Sequence, residues 1–133
     1  MADASIAIGW IHPSQASTES EALLTQLERG ATVVVPTIWF AETANGLLVL
    51  ERRKKITTQE RLKALAKLTS LNISADPEGY GLIFNRVSEL AAEHGLSVYD
   101  ACYLELAARQ QAILGSNDQS LRKAAASFGV KLI

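Results

Sequence analysis

The chain has 133 residues, 48% of them hydrophobic, and a formal charge of −1. That composition excludes a disordered chain, and the length fits a single domain over residues 1–133 with a core that needs no disulfide or metal staple. There is no global basic field for nucleic acid, the lone Cys102 allows no disulfide framework, and no apolar run approaches the roughly 18 residues of a membrane span. The N-terminus has no basic segment followed by an apolar one, so no signal peptide is expected and a cytoplasmic location is.

Taken in chain order, Asp3 closes a segment too short to be read as a full first strand, with only Met1 and Ala2 before it. Either the natural start lies upstream or that strand is very short. A helical pattern follows over Ser17–Arg29, then a buried strand over Thr32–Pro36, and helices over Ile38–Lys54 and Thr57–Ser70. Leu71–Ala75 reads as a strand, Gly79–His94 and Ser97–Gln110 as helices, Ala112–Gly115 as a strand, Gln119–Phe128 as a helix and Val130–Leu132 as the last strand. Gly30 and Gly95 stand where C-cap glycines belong, and Thr57, Ser97 and Asp118 where N-caps belong. Strands separated by helices predict parallel βαβ units, hence an α/β sheet covered on both faces.

Four acids fall inside or beside apolar stretches: Asp3, Glu42, Asp100 and Asp118. A carboxylate in apolar surroundings is costly unless a cation or donors meet it. Asp118 opens a helix, so capping explains it, but it also lies past the carboxyl end of a strand, where open α/β sheets place ligands. Asp3 has the same two readings, with Ser5 as an alternative cap. Asp100 sits three residues after Ser97 and resembles a capping-box partner. Glu42 is least explained by capping: it shares a helix stripe with Asn45, Ile38, Trp39, Gly46 and Val49, on a helix apolar nearly all round and so expected to be buried. Clustered carboxylates repel, and a hard cation such as Mg²⁺ or Mn²⁺ relieves the repulsion while offering chemistry on phosphodiesters.

Other chemistry is thin. His12 and His94 look like helix-end residues, Cys102 reads as core, and no Gly-rich phosphate loop occurs. The run Arg52, Arg53, Lys54 and Lys55 complements a helix C-terminus or contacts RNA phosphates, with Arg86, Arg122 and Lys123 as weaker candidates. Trp39 is expected in the core; Trp10 and Phe40 fit either the core or a groove for a partner helix.

The segments DASIAI (Asp3–Ile8), VVVPTIWFAETANGLL (Val33–Leu48), HGLSVYDACYLELA (His94–Ala107) and LGSNDQSLRKAA (Leu114–Ala125) together resemble the PIN-domain ribonucleases, particularly VapC-type toxins of toxin–antitoxin pairs. The resemblance spans essentially the whole chain. It implies a three-layer α/β/α sandwich around a central, mainly parallel sheet of four to five strands. It also implies an Mg²⁺- or Mn²⁺-dependent endoribonuclease with Asp3, Glu42, Asp100 and Asp118 as catalytic metal ligands, supported by Ser5, Asn45 and Ser116. RNA would be the substrate, a small antitoxin protein the partner, and a homodimer the assembly. A housekeeping PIN nuclease, a non-catalytic PIN-like module and a phosphoacceptor domain are the alternatives. A phosphoacceptor domain needs adjacent acids at its first strand, and Asp3 is flanked by Ala2 and Ala4.

Overall fold

The computed structural model describes residues 1–133, the side chain of Pro13 excepted. The chain begins with helix α1 (Ala4–Ile11), capped by Asp3, whose carboxylate accepts from the Ile6 amide. Helix α2 (Thr18–Glu28) opens on a reciprocal capping box between Ser17 and Ser20. Strand β1 (Val33–Val35) leads through Pro36 and Thr37 into α3 (Ile38–Arg52), and α4 (Thr58–Ser70) starts on a second capping box, Thr57 with Glu60. Strand β2 (Ile73–Ala75) follows. Next come a 3₁₀ turn (Gly79–Leu82), a π-helical turn (Ile83–Val87), α5 (Ser88–His94), α6 (Val98–Arg109) and α7 (Gln119–Phe128).

The α/β class and the parallel sheet are as the pattern predicts, but the sheet is smaller than four to five full strands. β1 and β2 pair in parallel with Val33 opposite Ile73 and Val35 opposite Ala75. The other three segments meet only through single parallel bridges, Ala2 with Gly115 and Leu114 with Leu132. They are too short for a ladder, so helices supply most of the core. Ile6, Leu23, Val35, Trp39, Leu47, Tyr103, Leu104, Leu114 and Leu121 are among the buried side chains of the main cluster. A smaller cluster of Val87, Leu90, Ala91 and Ala101 fixes α5 on α6.

Three expectations change. Residues 4–11 form a helix that the pattern did not reveal, because ASIAIGWI is apolar on every side and carries no period. Residues 79–94 are not one helix; the Gly-flanked segment runs 3₁₀, then π, then α. Helix α3 is not buried all round. Only Trp39, Thr43 and Leu47, on one i, i+4, i+8 stripe, are fully covered, while Phe40 and Asn45 face solvent. Trp10 lies in the core, its indole Nε1 donating to the Ser20 carbonyl at 2.8 Å.

Candidate active site

Two backbone segments build the floor of the site. The Asp3 amide donates to the Gly115 carbonyl and the Gly115 amide to the Met1 carbonyl, both at 3.0 Å. Parallel pairing therefore sets Asp3 beside Ser116 at the carboxyl ends of neighbouring segments. The Asp3 carboxylate is buried and held on both oxygens. Oδ1 accepts from Ser5 Oγ at 2.6 Å and from the Ile6 amide at 3.0 Å; Oδ2 accepts from the buried Ser116 hydroxyl. Ser116 Oγ in turn accepts from the Asp118 amide at 3.0 Å, and Ser5 Oγ accepts from the Asn117 amide at 2.9 Å. One hydroxyl pair thus ties the start of α1 to the start of α7.

Burial pushes the Asp3 carboxyl above its ordinary value, and the bonds from Ser116, Ser5 and the backbone oppose the rise. Glu42, half-buried on the second turn of α3, is also raised. Burial is the first cause, and the negative charges of Asp100 and Asp3 add to it, while a hydrogen bond from Tyr103 opposes. That bond runs from Tyr103 Oη to Glu42 Oε2 at 2.6 Å. Tyr103 lies one turn beyond Asp100 on α6, so α6 presents both to the same region. Burial, then the Glu42 bond and charge, drive the Tyr103 hydroxyl pKa upward, which keeps it a donor.

Asp100 is partly exposed; Ser97 caps α6 by accepting from the Asp100 amide at 3.0 Å and donates its hydroxyl to the Asp100 carboxylate at 2.6 Å, so the reciprocal capping box is not made. Asp118 is exposed and caps α7, accepting from the Leu121 amide at 2.8 Å. Asn45 is exposed one turn beyond Glu42. The structure therefore places Glu42 within reach of the charges of both Asp100 and Asp3, and links Asp118 to Asp3 through Ser116. Among the described residues, no three His, Cys, Asp or Glu side chains form a ready metal cage as they stand.

The remaining candidates lie apart. Arg52, Arg53, Lys54 and Lys55 are exposed at the far end of α3, about 15 Å along the axis from Glu42 at 1.5 Å per residue. Arg122 donates to the Ser116 and Ile133 carbonyls and braces the floor, Arg86 stacks on the Phe128 ring at 5.6 Å, and Lys123 is exposed. Cys102 is only partly buried; burial and the charges of Glu42, Glu105 and Asp100 push its thiol up to about 11, so it stays protonated.

The sequence reading missed Tyr103, Asp76 and Glu105. Asp76 and Glu105 are more deeply buried than Asp100 or Asp118, and Arg109 answers both. Its guanidinium donates to Asp76, to Glu105 at 2.9 Å and to Glu78 at 3.0 Å. Tyr103 had a signal: it stands three residues past Asp100, on the same helix face.

That contrast is also the test for a metal. Nature placed Arg109 against one acidic group, whereas among the described residues no Arg or Lys pairs with Asp3, Glu42, Asp100 or Asp118. An all-oxygen donor set without an internal cation has the chemistry a hard divalent ion requires.

The crystal structure of PAE2754 from Pyrobaculum aerophilum superposes with a TM-score of 0.62, covering 92% of this chain and 83% of that one at 20% identity, a likeness of fold. No curated protein matches the chain. No helix is long and apolar enough to cross a membrane. The PIN domain model matches residues 1–127, and the chain belongs to the PIN domain family, whose members are generally nucleases and typically use divalent metal ions.

Proposed function

We propose that the chain is an Mg²⁺- or Mn²⁺-dependent endoribonuclease that hydrolyses RNA phosphodiester bonds, acting as the toxin of a VapBC-type pair. The observation that carries the nuclease reading is the Glu42 carboxyl, raised by burial and by the charges of Asp100 and Asp3, with no Arg or Lys among the described residues paired to any of the three. Asp3, Glu42, Asp100 and Asp118 would hold the ion, which supplies a Lewis acid for the phosphate oxygens and a water of lowered pKa.

The chain's own groups do the rest. Ser5 and Ser116 fix the Asp3 rotamer, and Tyr103 fixes Glu42, so two acids are set before substrate arrives. Asp100 and Asp118 are the accessible members, on the open side where an RNA backbone approaches. Arg52, Arg53, Lys54 and Lys55 would neutralise phosphates farther along the strand.

The toxin reading rests on the four motif segments and on nothing structural, and with it come the antitoxin partner and the homodimer. A fluorogenic RNA oligonucleotide tests the nuclease: cleavage should require Mn²⁺ or Mg²⁺, stop with EDTA, and vanish in Glu42→Gln purified identically. Full activity in that variant would sink the assignment. Growth arrest on expression, absent in Asp100→Asn and relieved by a small upstream gene, separates a toxin from a housekeeping nuclease.

A further inference from the structure

We infer that the cleft between α3 and α4, on the side of α3 away from Glu42, is a binding site for a small, mostly apolar molecule carrying a hydrogen-bond-acceptor oxygen. The cleft has a volume of about 320 Å³ and is walled by Trp39, Phe40, Thr43, Leu65, Leu68 and Ile73, among others. That size lies at the lower end of ordinary ligand pockets. Two of its lining residues, Trp39 and Thr43, carry two of the three buried side-chain polar groups that find no partner among the described residues, the indole Nε1 and the hydroxyl.

Both residues are only 2% exposed. A buried Trp N–H nearly always has an acceptor, and leaving one unmet costs about 1–3 kcal/mol. The other indole shows the rule obeyed, since Trp10 donates to the Ser20 carbonyl. Trp39 can only donate, so what completes it must accept, and the apolar lining requires the rest of the molecule to be greasy. The movable part of the wall is Phe40, 46% exposed and packed edge-on against the Trp39 ring at 5.1 Å between centroids. A ligand that reaches the buried indole nitrogen has to displace a wall side chain, and Phe40 is the exposed one packed on the Trp39 ring, free to move on the fast timescale of exposed side chains.

The probe is acetophenone, with ethylbenzene as its near-isosteric control lacking the oxygen. In uniformly ¹⁵N-labelled protein the chain's two tryptophans give two indole N–H signals. Acetophenone should move the Trp39 signal saturably and leave Trp10 in place, and ethylbenzene should bind about five-fold more weakly, the worth of one hydrogen bond. Ala44→Leu enlarges an exposed side chain on the cleft wall, where folding is not at stake, and should abolish the shift. No saturable movement of Trp39, equal binding of ethylbenzene, or undiminished binding to Ala44→Leu would overturn the proposal. So would a Trp39 signal that moves with protein concentration alone, which would make the occupant a second copy of the chain.

Discussion

The Tyr103 hydroxyl donates to Glu42 across 61 positions of sequence, joining α6 to α3 inside the acidic site. The bond is a charge-assisted one, and it opposes the upward pull of burial on the Glu42 carboxyl. Tyr103→Phe should therefore raise that carboxyl further and move the acid limb of RNA cleavage to higher pH. A stability loss of about 1 kcal/mol should accompany it in urea titrations. An unmoved pH profile would make Tyr103 a packing residue only.

Charge removal at Glu42 should stabilise the metal-free protein. Its carboxyl, like that of Asp3, is raised in the fold, so the folded state binds protons more tightly than the unfolded chain. Their contribution is most favourable below the ordinary carboxylate value and is lost as pH climbs through the raised one. Glu42→Gln should raise the melting temperature by about 2 °C near pH 7, a modest gain because Glu42 is half in solvent. Near pH 4 the variant and the parent should melt together. Adding Mn²⁺ should stabilise the parent and leave Glu42→Gln nearly unmoved in calorimetry.

Ser116→Ala removes a buried hydroxyl that serves Asp3 and the Asp118 amide at once. A cost of about 1–3 kcal/mol is expected, with weaker Mn²⁺ binding, because Asp3 loses a donor and the α7 cap loses its anchor. Ser116→Thr, keeping the hydroxyl, should recover most of the metal affinity by titration.

These bonds also mark where reading the sequence succeeds and fails. Asp3, Glu42 and Asp100 converge because short strands and helix starts deliver them to one edge, which the βαβ alternation predicts. Asp3, hardest to place from a two-residue lead-in, is the most buried of the quartet. Asp118 looked enclosed by apolar neighbours yet is exposed, since a cap residue precedes the turn that buries Leu121. Asp76 escaped notice because its partner Arg109 is 33 positions away. The Glu105–Arg109 pair, at helical i, i+4 spacing, was legible and unread.

Arg109→Ala should be the most damaging single change outside the core. It leaves Asp76 and Glu105 buried without a cation, a loss of about 3–5 kcal/mol, a large part of what a domain of this size has. Chemical denaturation checks it directly. Asp100→Ala, at a partly exposed first-turn position whose backbone amide still meets the Ser97 cap, should cost about 1 kcal/mol or less while ending cleavage.

The unequal treatment of the two acidic groups has an evolutionary consequence. The Arg109 group is bound up with folding, so mutations there are purged whatever the protein does. Asp100 is partly exposed and Asp118 exposed, so under the proposed function losing either should leave a folded chain without the proposed cleavage. Under that reading, one substitution would separate an active chain from a silent one that still keeps its shape. Descendants of this fold should therefore drift into binding roles through Asp100 or Asp118 first, and through Asp3 last.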